Sequence, residues 1–371
     1  MDYGAITIDT SIFDGNGLKL ESGLFKKLAQ FKESPADLVL SEIILRELKN
    51  HLTKKVKEVK LQVEKSFKEC QTHLVVDAEI IAKARETILD GRDDEKIVTE
   101  RVDRFIDNTG LLVVPATDNI DMPTLLDKYF TGKAPFSDSG KKKSEFPDAI
   151  ALMTLEAWAK DKGVKIVAVS ADGDWADFGK ESEYIDVVSD LAEAIAIFQP
   201  RNNAYAFCMK LAEDLPNGKA NKIIDAIHDY LSYKLPDLDL TADAGADYYF
   251  EADYVEVDFK DFEIITDKGK AILQPVEIEA DEVVIELKIK VEAEVSCHFS
   301  LSAWDSIDRE YVPMSGTTAT TDLDFETEIL LTLSGDFEKG LEEVEVSDYE
   351  LIYLPSDVDF GYIEPDWHDE E

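Results

Sequence analysis

Residues 164–174 read VKIVAVSADGD and decide the fold of the first half of the chain. The run from 164 to 169 is almost wholly apolar and rich in β-branched residues, as in a strand buried on both faces of a parallel sheet. Small and acidic residues follow at once, among them Ser170, Asp172 and Asp174. Ligands of an open parallel sheet bind beyond the carboxyl ends of its strands, so these three residues are candidates for a functional site.

Further strands and helices alternate around this segment up to residue 198. Short apolar runs predict strands at 5–8, 37–40, 111–114 and 184–188. Apolar spacing predicts helices at 42–68 (capped by Ser41), 76–89, 94–107, 125–130, 147–160 and 191–198. Strands separated by helices predict an α/β domain over 1–198, with a mostly parallel sheet and helices on both faces.

The second half of the chain has a different pattern. The stretch 199–203 (QPRNN) is the predicted domain boundary, and helices at 204–213 and 218–233 form a helical lead-in over 199–236. From 283 to 301 every odd position is apolar or small and most even positions are polar, the period of an antiparallel strand or a bent pair of strands. Similar alternation near 252–264, 325–333 and 343–353 predicts an acidic, mainly-β, sandwich-like domain over 237–371.

Charge is distributed unequally between the two halves. The 371 residues include 39 Lys and Arg against 80 Asp and Glu, a net charge of −41. Residues 1–200 hold 27 basic and 37 acidic residues (net −10), and residues 201–371 hold 12 and 43 (net −31). This balance argues against general binding of duplex nucleic acid through a basic face.

The chain lacks the sequence signals of membranes and of secretion. No apolar run approaches the ~20 residues of a membrane span, and no signal peptide is evident. Cys70, Cys208 and Cys297 match neither a disulfide framework nor a zinc pattern. We therefore expect a cytoplasmic protein without a membrane partner.

Four acidic residues lie where the predicted elements would bring them to one end of the sheet. Asp9 follows the first strand, Glu47 lies on the long helix, Asp148 opens a later helix, and Asp172 follows the strand at 164–169. Converging carboxylates repel one another unless a cation lies between them, and such oxygen ligands suit Mg²⁺ or Mn²⁺. Each acid also has a purely structural explanation, as a helix cap, a helix N-terminal charge or a turn residue.

The order of these motifs resembles that of PIN domain nucleases. The resemblance rests on Asp9-Thr10-Ser11, Ile44-Leu45-Arg46-Glu47-Leu48, Asp148 and Ser170-Ala171-Asp172-Gly173-Asp174-Trp175, and it covers about residues 3–198. Residues 142–148 (KKSEFPD) are most similar to a prokaryotic branch of PIN-like proteins. The resemblance implies a three-layer α/β domain and a metal-dependent endonuclease, most often acting on single-stranded RNA, with DNA less favoured.

The resemblance also implies roles for individual residues. One or two Mg²⁺ or Mn²⁺ ions would be held by Asp9, Glu47, Asp148 and Asp172, and a metal-bound water would leave a 5′-phosphate and a 3′-hydroxyl. Asp174 would hold or orient a second ion, or else serve as a turn residue. Hydrogen-bonding support would come from Thr10, Ser11 and Ser170.

The choice of the helix glutamate stays open between two residues. Glu42 lies five residues before Glu47, which places them about 140° apart around the helix, so both cannot face one site squarely. The apolar flanks of Glu47 favour it. His51 follows Glu47 by four residues on the same helix face, as a phosphate contact or an ordinary surface histidine.

Several basic and aromatic residues are candidates for substrate contacts. Basic residues that could follow a phosphate backbone are Arg46, Lys49, Lys141, Lys142 and Lys143; the alternative is a solvated helix face and a loop. Trp175 and Phe178 could stack on a base or pack in the core.

Other functions compete with the nuclease. An acidic interaction protein with a degenerate PIN fold and a basic protein partner is one alternative. A haloacid dehalogenase-type phosphatase is another, since residues 173–177 read GDWAD, but Ser11 stands where that family needs a second Asp. A toxin or phage-defence role and a homodimer are further possibilities that the resemblance raises.

Overall fold

The computed structural model of the protein describes residues 3–89, 91, 93–136, 145–279 and 281–366. The chain divides into two units, Met1–Phe198 (the N-terminal unit) and Gln199–Glu371 (the C-terminal unit). Each unit has its own sheet, and each is described by itself.

Five parallel strands form the sheet of the N-terminal unit. They are β1 (Tyr3–Ile8), β2 (Asp37–Ser41), β3 (Leu112–Val114), β4 (Lys165–Val169) and β5 (Ile185–Val188). Their spatial order is β3-β2-β1-β4-β5, and every neighbouring pair is parallel. The predicted parallel α/β architecture is therefore confirmed.

Ten helices of the N-terminal unit lie in the part of the chain that the structure describes. They are α1 (Thr10–Gly15), α2 (Gly23–Lys27), α3 (Glu42–His73), α4 (Ala78–Leu89), α5 (Asp94–Thr109), α6 (Ala116–Asn119), α7 (Met122–Thr131), α8 (Phe146–Lys162), α9 (Gly173–Glu181) and α10 (Leu191–Ile197). The sequence did not predict α1, α2, α6 and α9, which are four to nine residues long and offer few apolar repeats at helical spacing.

Helix α3 begins as predicted and runs five residues further than the predicted end at 68. The Ser41 hydroxyl accepts a hydrogen bond from the backbone N–H of Ile43 at 3.3 Å, which confirms the predicted N-cap. Its buried residues are Ile44, Leu48 and Leu52, all within the first third of the helix. This apolar row anchors the helix over the sheet and sets which way its other side chains face.

The chain reverses its direction of travel across the sheet at β1. It visits β2 and β3 on one side of β1, then β4 and β5 on the other. The carboxyl ends of β1 and β4 lie side by side, since Ile8 pairs with Val169 and the N–H of Asp9 donates to the carbonyl of Val169 at 2.9 Å. Open α/β sheets bind ligands at such a topological switch point.

The C-terminal unit is built mainly from antiparallel strands. The strands are β6 (Thr241–Gly245), β7 (Tyr249–Ala252), β8 (Glu256–Ile264), β9 (Thr266–Asp267), β10 (Lys270–Ala271), β11 (Leu273–Ile278), β12 (Glu282–Asp305), β13 (Glu310–Pro313), β14 (Thr317–Gly335), β15 (Val344–Leu351) and β16 (Asp357–Tyr362). Seven of them form one sheet around β12, a single 24-residue strand paired with β14 from Glu282 to Phe299. The mainly-β prediction is confirmed.

Two helices share the core of this large sheet. They are α11 (Asn203–Asp214) and α12 (Asn221–Lys234), whose apolar residues form one cluster with the buried face of β12. Phe360 of β16 also joins the core, with its ring 5.3 Å from that of Phe299. The helices and the β6–β16 pair thus cover the sheet face on which the odd-numbered residues of β12 lie.

None of the described helices combines the length and the apolar character needed to cross a bilayer. All three cysteines are free thiols.

Candidate functional site

Asp9 is the most firmly held carboxylate at the switch point. It is 5 % exposed and serves as the N-cap of α1. Its Oδ1 accepts from the N–H of Thr10 at 2.6 Å, and its Oδ2 accepts from the hydroxyls of Ser11 at 2.5 Å and Ser170 at 2.8 Å. Three donors therefore fix one buried carboxylate between the ends of β1 and β4.

Glu47 is joined to the same place through Thr10. The Thr10 hydroxyl donates to Glu47 Oε2 at 3.1 Å, so α3 is linked to the residue that follows Asp9. Burial raises the pKa of Glu47, and the charge of Asp9 raises it further. Glu47 therefore lies within the electrostatic reach of Asp9.

Glu42, the alternative helix glutamate, faces another part of the unit. Its Oε1 accepts from the backbone N–H of Ala116 at 3.0 Å, and its Oε2 accepts from Arg46 at 3.2 Å. Both oxygens are thus bonded at the start of α6 and along the outer side of α3. The structure brings Glu47 to Asp9 and gives Glu42 a structural role.

Asp148 lies in the first turn of α8, with Pro147 beside it at the helix start. Burial, followed by the charges of Asp9, Glu47 and Asp172, raises its pKa to about 7. The indole N–H of Trp175 donates to Asp148 Oδ1 at 3.1 Å and opposes this shift. The charges of the three other predicted acids thus all act on Asp148.

Asp172 and Asp174 lie on the outer side of this group. Asp172 is exposed and caps α9, accepting from the N–H of Asp174 at 2.8 Å, while its own N–H donates to the Ser170 hydroxyl at 3.0 Å. Burial raises the pKa of Asp174, followed by the charges of Asp172, Glu145 and Asp177. Of the four predicted ion ligands, Asp172 is thus the one whose charge acts on Asp174.

The proposed basic contacts are less well placed. Arg46 is paired with Glu42, and Lys49 lies about 200° around the helix from Glu47, on the opposite side. Lys141, Lys142 and Lys143 lie outside the described residues. Of the described residues of this set, neither Arg46 nor Lys49 thus lies on the Glu47 side of α3 as a phosphate contact.

The two aromatic residues of α9 pack in the core. Trp175 and Phe178 are 0 % and 2 % exposed, so neither ring is available to stack on a base. The hydrogen bond from Trp175 to Asp148 was not predicted, because no pattern in the sequence pairs residues that far apart. The only signal was the presence of an indole N–H three residues after Asp172.

A second unpredicted pair lies one helical turn from Glu47. His51 Nδ1 lies 2.9 Å and 2.7 Å from the two carboxylate oxygens of Asp14. The charge of His51 lowers the pKa of Glu47, which shows that the imidazole is close to the acid site. The i, i+4 spacing of Glu47 and His51 was the only sequence signal for this arrangement.

The donor set is suited to a hard divalent cation. All four converging side chains offer carboxylate oxygens, the ligands that Mg²⁺ and Mn²⁺ prefer. Within the described ranges, no three His, Cys, Asp or Glu residues are arranged to hold one ion together. Mg²⁺ commonly takes one or two protein carboxylates and keeps several waters, so the residues present fit such an ion without a complete protein cage.

Comparison with known proteins gives one match. A family model described as PIN domain matches residues 6–175, which run from the second half of β1 through β4 and include all four acids. No curated protein and no solved structure matches the chain. The match agrees with the motif order and with the parallel sheet, and it confirms the predicted resemblance. Over residues 6–175 the N-terminal unit therefore matches the PIN-domain family.

Proposed function

We propose that the N-terminal unit is a Mg²⁺- or Mn²⁺-dependent endonuclease that hydrolyses phosphodiester bonds in single-stranded RNA, with DNA less favoured. PIN domains are generally nucleases. The observation that carries the proposal is the electrostatic coupling of Asp148 to Asp9, Glu47 and Asp172 at the switch point of the sheet. Four carboxylates whose charges act on Asp148 at the carboxyl end of a parallel sheet are best explained by a divalent cation.

The ion would be held by Asp9, Glu47, Asp148 and Asp172, with Asp174 as an outer residue. A bound divalent cation would supply an activated water and would offset negative charge on the phosphate. Hydrolysis is expected to leave a 5′-phosphate and a 3′-hydroxyl.

The chain's own residues orient these carboxylates. Ser11 and Ser170 both donate to Asp9 Oδ2, which directs the remaining lone pairs of that carboxylate. Thr10 ties Glu47 to the end of β1, and Trp175 holds Asp148. Asp9, Glu47 and Asp148 are thus each positioned by a hydrogen bond from a neighbouring side chain.

The test is cleavage of labelled single-stranded RNA and DNA by the full chain in Mg²⁺, Mn²⁺ or EDTA. Asp9→Asn and Glu47→Gln keep the side-chain shape and remove the charge, so each should reduce cleavage at least about 100-fold. Glu42→Gln, on the same helix, is the matched control and should retain most of the activity.

Two outcomes would overturn the proposal. Cleavage that persists in EDTA or in Asp9→Asn would mean that the acids do not hold the essential ion. Absence of both cleavage and Mg²⁺ binding by calorimetry would favour an interaction protein with a degenerate PIN fold.

We also propose a cytoplasmic location, which suits a protein whose three cysteines are all free thiols. A toxin or phage-defence role and a homodimer stay predictions. The phosphatase alternative is not proposed, because Ser11, at the position of the required acid, donates its hydroxyl to Asp9.

A further inference from the structure

Three aromatic side chains form an exposed cluster at one end of the large sheet of the C-terminal unit. Tyr249 of β7, Trp304 of β12 and Tyr311 of β13 are 49 %, 56 % and 51 % exposed. The Tyr311 ring lies 4.8 Å from that of Tyr249 and 5.1 Å from that of Trp304, measured between centroids. We call these three residues the aromatic cluster.

The strand register explains why the cluster faces outward. Phe299 and Leu301 are buried in the core, so the alternation of β12 directs Ser302 and Trp304 to the opposite face. Tyr249 pairs with Ser302, and Tyr311 pairs with Trp304. The three rings therefore share the face turned away from the core, where packing within the unit leaves about half of each ring exposed.

Acidic residues lie beside the cluster. Asp308 lies in the turn of the β12–β13 hairpin, whereas the next pair along the hairpin, Asp305 and Glu310, alternates to the opposite face. Glu251 accepts a hydrogen bond from the Tyr249 hydroxyl at 3.4 Å. Arg309 is the basic residue of the turn. Phosphate groups would be repelled here, whereas a cation would meet both ring faces and carboxylates.

Further along the same outward face of β12, beyond Ser300, His298 and Ser296, lies an acidic track. Along β12 and β14, Glu294 lies opposite Asp322, and Glu292 lies opposite Asp324. Like charges directly opposite one another destabilise a strand pair. Lys260 and Lys290 partly neutralise them through ion pairs to Glu294 and Asp324. From Trp304 to Glu292 the strand rises about 40 Å, the length of an extended peptide of about 12 residues.

We propose that the aromatic cluster is a docking site for an arginine-rich segment of a protein partner, with the acidic track as its continuation. A planar guanidinium group can stack its face on an aromatic ring while its N–H donors bind a carboxylate. Arginine therefore suits a surface that offers both aromatic rings and carboxylates. Lysine stacks less well, because its ammonium is compact and strongly hydrated. The C-terminal unit carries a net charge of −31, which draws such a segment toward it.

The test uses the full chain and fluorescein-labelled 12-residue peptides at 0.15 M salt, measured by fluorescence anisotropy. The probes are six repeats of Arg-Ser, six of Lys-Ser and six of Glu-Ser, with a 12-nucleotide oligouridylate beside them. We expect the Arg peptide to bind most tightly. Trp304→Ala and Tyr311→Ala should each weaken it about tenfold, and Trp304→Phe should restore most of the affinity.

The matched control is Tyr233→Ala on α12, because Tyr233 is 77 % exposed and lies outside the cluster. It should bind the Arg peptide as the unchanged protein does. If Trp304→Ala and Tyr311→Ala both bind the Arg peptide as tightly as the unchanged chain does, net charge alone binds the peptide. That result would overturn the proposal. Tighter binding of the oligouridylate than of the Arg peptide, or no binding at 1 mM peptide, would also overturn the proposal. A concentration-dependent dimer that Trp304→Ala abolishes would overturn it too, because it would assign the cluster to a second copy of the chain.

Discussion

Replacing Asp148 by Asn should stabilise the metal-free N-terminal unit, and by more at pH 8 than at pH 5. Burial, together with the charges of its acidic neighbours, raises the pKa of this carboxyl from 3.8 to about 7. An ionised Asp148 is therefore unfavourable in the folded chain unless a cation accompanies it. Asn removes that charge at every pH.

The magnitude follows from the pKa. One unit of pKa corresponds to 1.36 kcal/mol, so the rise from 3.8 to about 7 lowers the free energy of unfolding by at most about 4 kcal/mol when Asp148 is ionised. Because Asp148 is only half-buried, solvent screening reduces this figure, and we expect about 2 kcal/mol at pH 8.

The pH dependence has a definite sign. Asp148 keeps its proton up to a higher pH in the folded state than in the unfolded state. It therefore does not destabilise the folded state below pH 3.8, and the destabilisation grows as the pH rises to about 7. At pH 5 the gain from Asn should be about 1 kcal/mol smaller than at pH 8.

The assay is thermal unfolding of the full chain in EDTA, following the transition of the N-terminal unit. For a unit of about 200 residues, 2 kcal/mol corresponds to a rise in Tm of about 6 °C. Asp161→Asn, at the exposed far end of α8, is the matched control and should change the free energy of unfolding by less than about 0.5 kcal/mol. Saturating Mg²⁺ should remove the advantage of Asp148→Asn.

The reasoning is refuted if Asp148→Asn lowers Tm in EDTA at pH 8, or if its effect is the same at pH 5 and pH 8. Either result would mean that Asp148 is not an uncompensated charge among acids.

Three further substitutions test other parts of the structure. Trp175→Phe removes the hydrogen bond that lowers the pKa of Asp148, so the acid limb of the cleavage pH profile should move up by about one unit, and an unmoved profile would contradict this. Thr7→Val should stabilise the chain by about 1 kcal/mol in denaturant unfolding, because the Thr7 hydroxyl is buried without a hydrogen-bond partner in the described part of the chain; a loss would argue against that geometry. Gly335→Ala should destabilise the C-terminal unit by at least about 3 kcal/mol, since φ is +145° and the new Cβ would lie 2.0 Å from the carbonyl oxygen of Glu343; an unchanged Tm would exclude this backbone.

Much of the architecture could be predicted because its signals are local. The apolar run at 164–169 predicted a buried parallel strand, and the alternation from 283 to 301 predicted the central strand of the second unit. Asp9 and Ser170 could be expected near each other, since both follow parallel strands at one edge of the sheet. Such patterns depend only on which residues neighbour each other along the chain.

The tertiary structure decided which side chains meet. The row of Ile44, Leu48 and Leu52 set the rotation of α3, which turned Glu47 toward Thr10 and left Glu42 at the start of α6. The bond from Trp175 to Asp148 and the cluster of Tyr249, Trp304 and Tyr311 likewise join residues that are distant in sequence. The physical reason is that helix rotation and strand register are set by packing across the whole unit, and no local period encodes them.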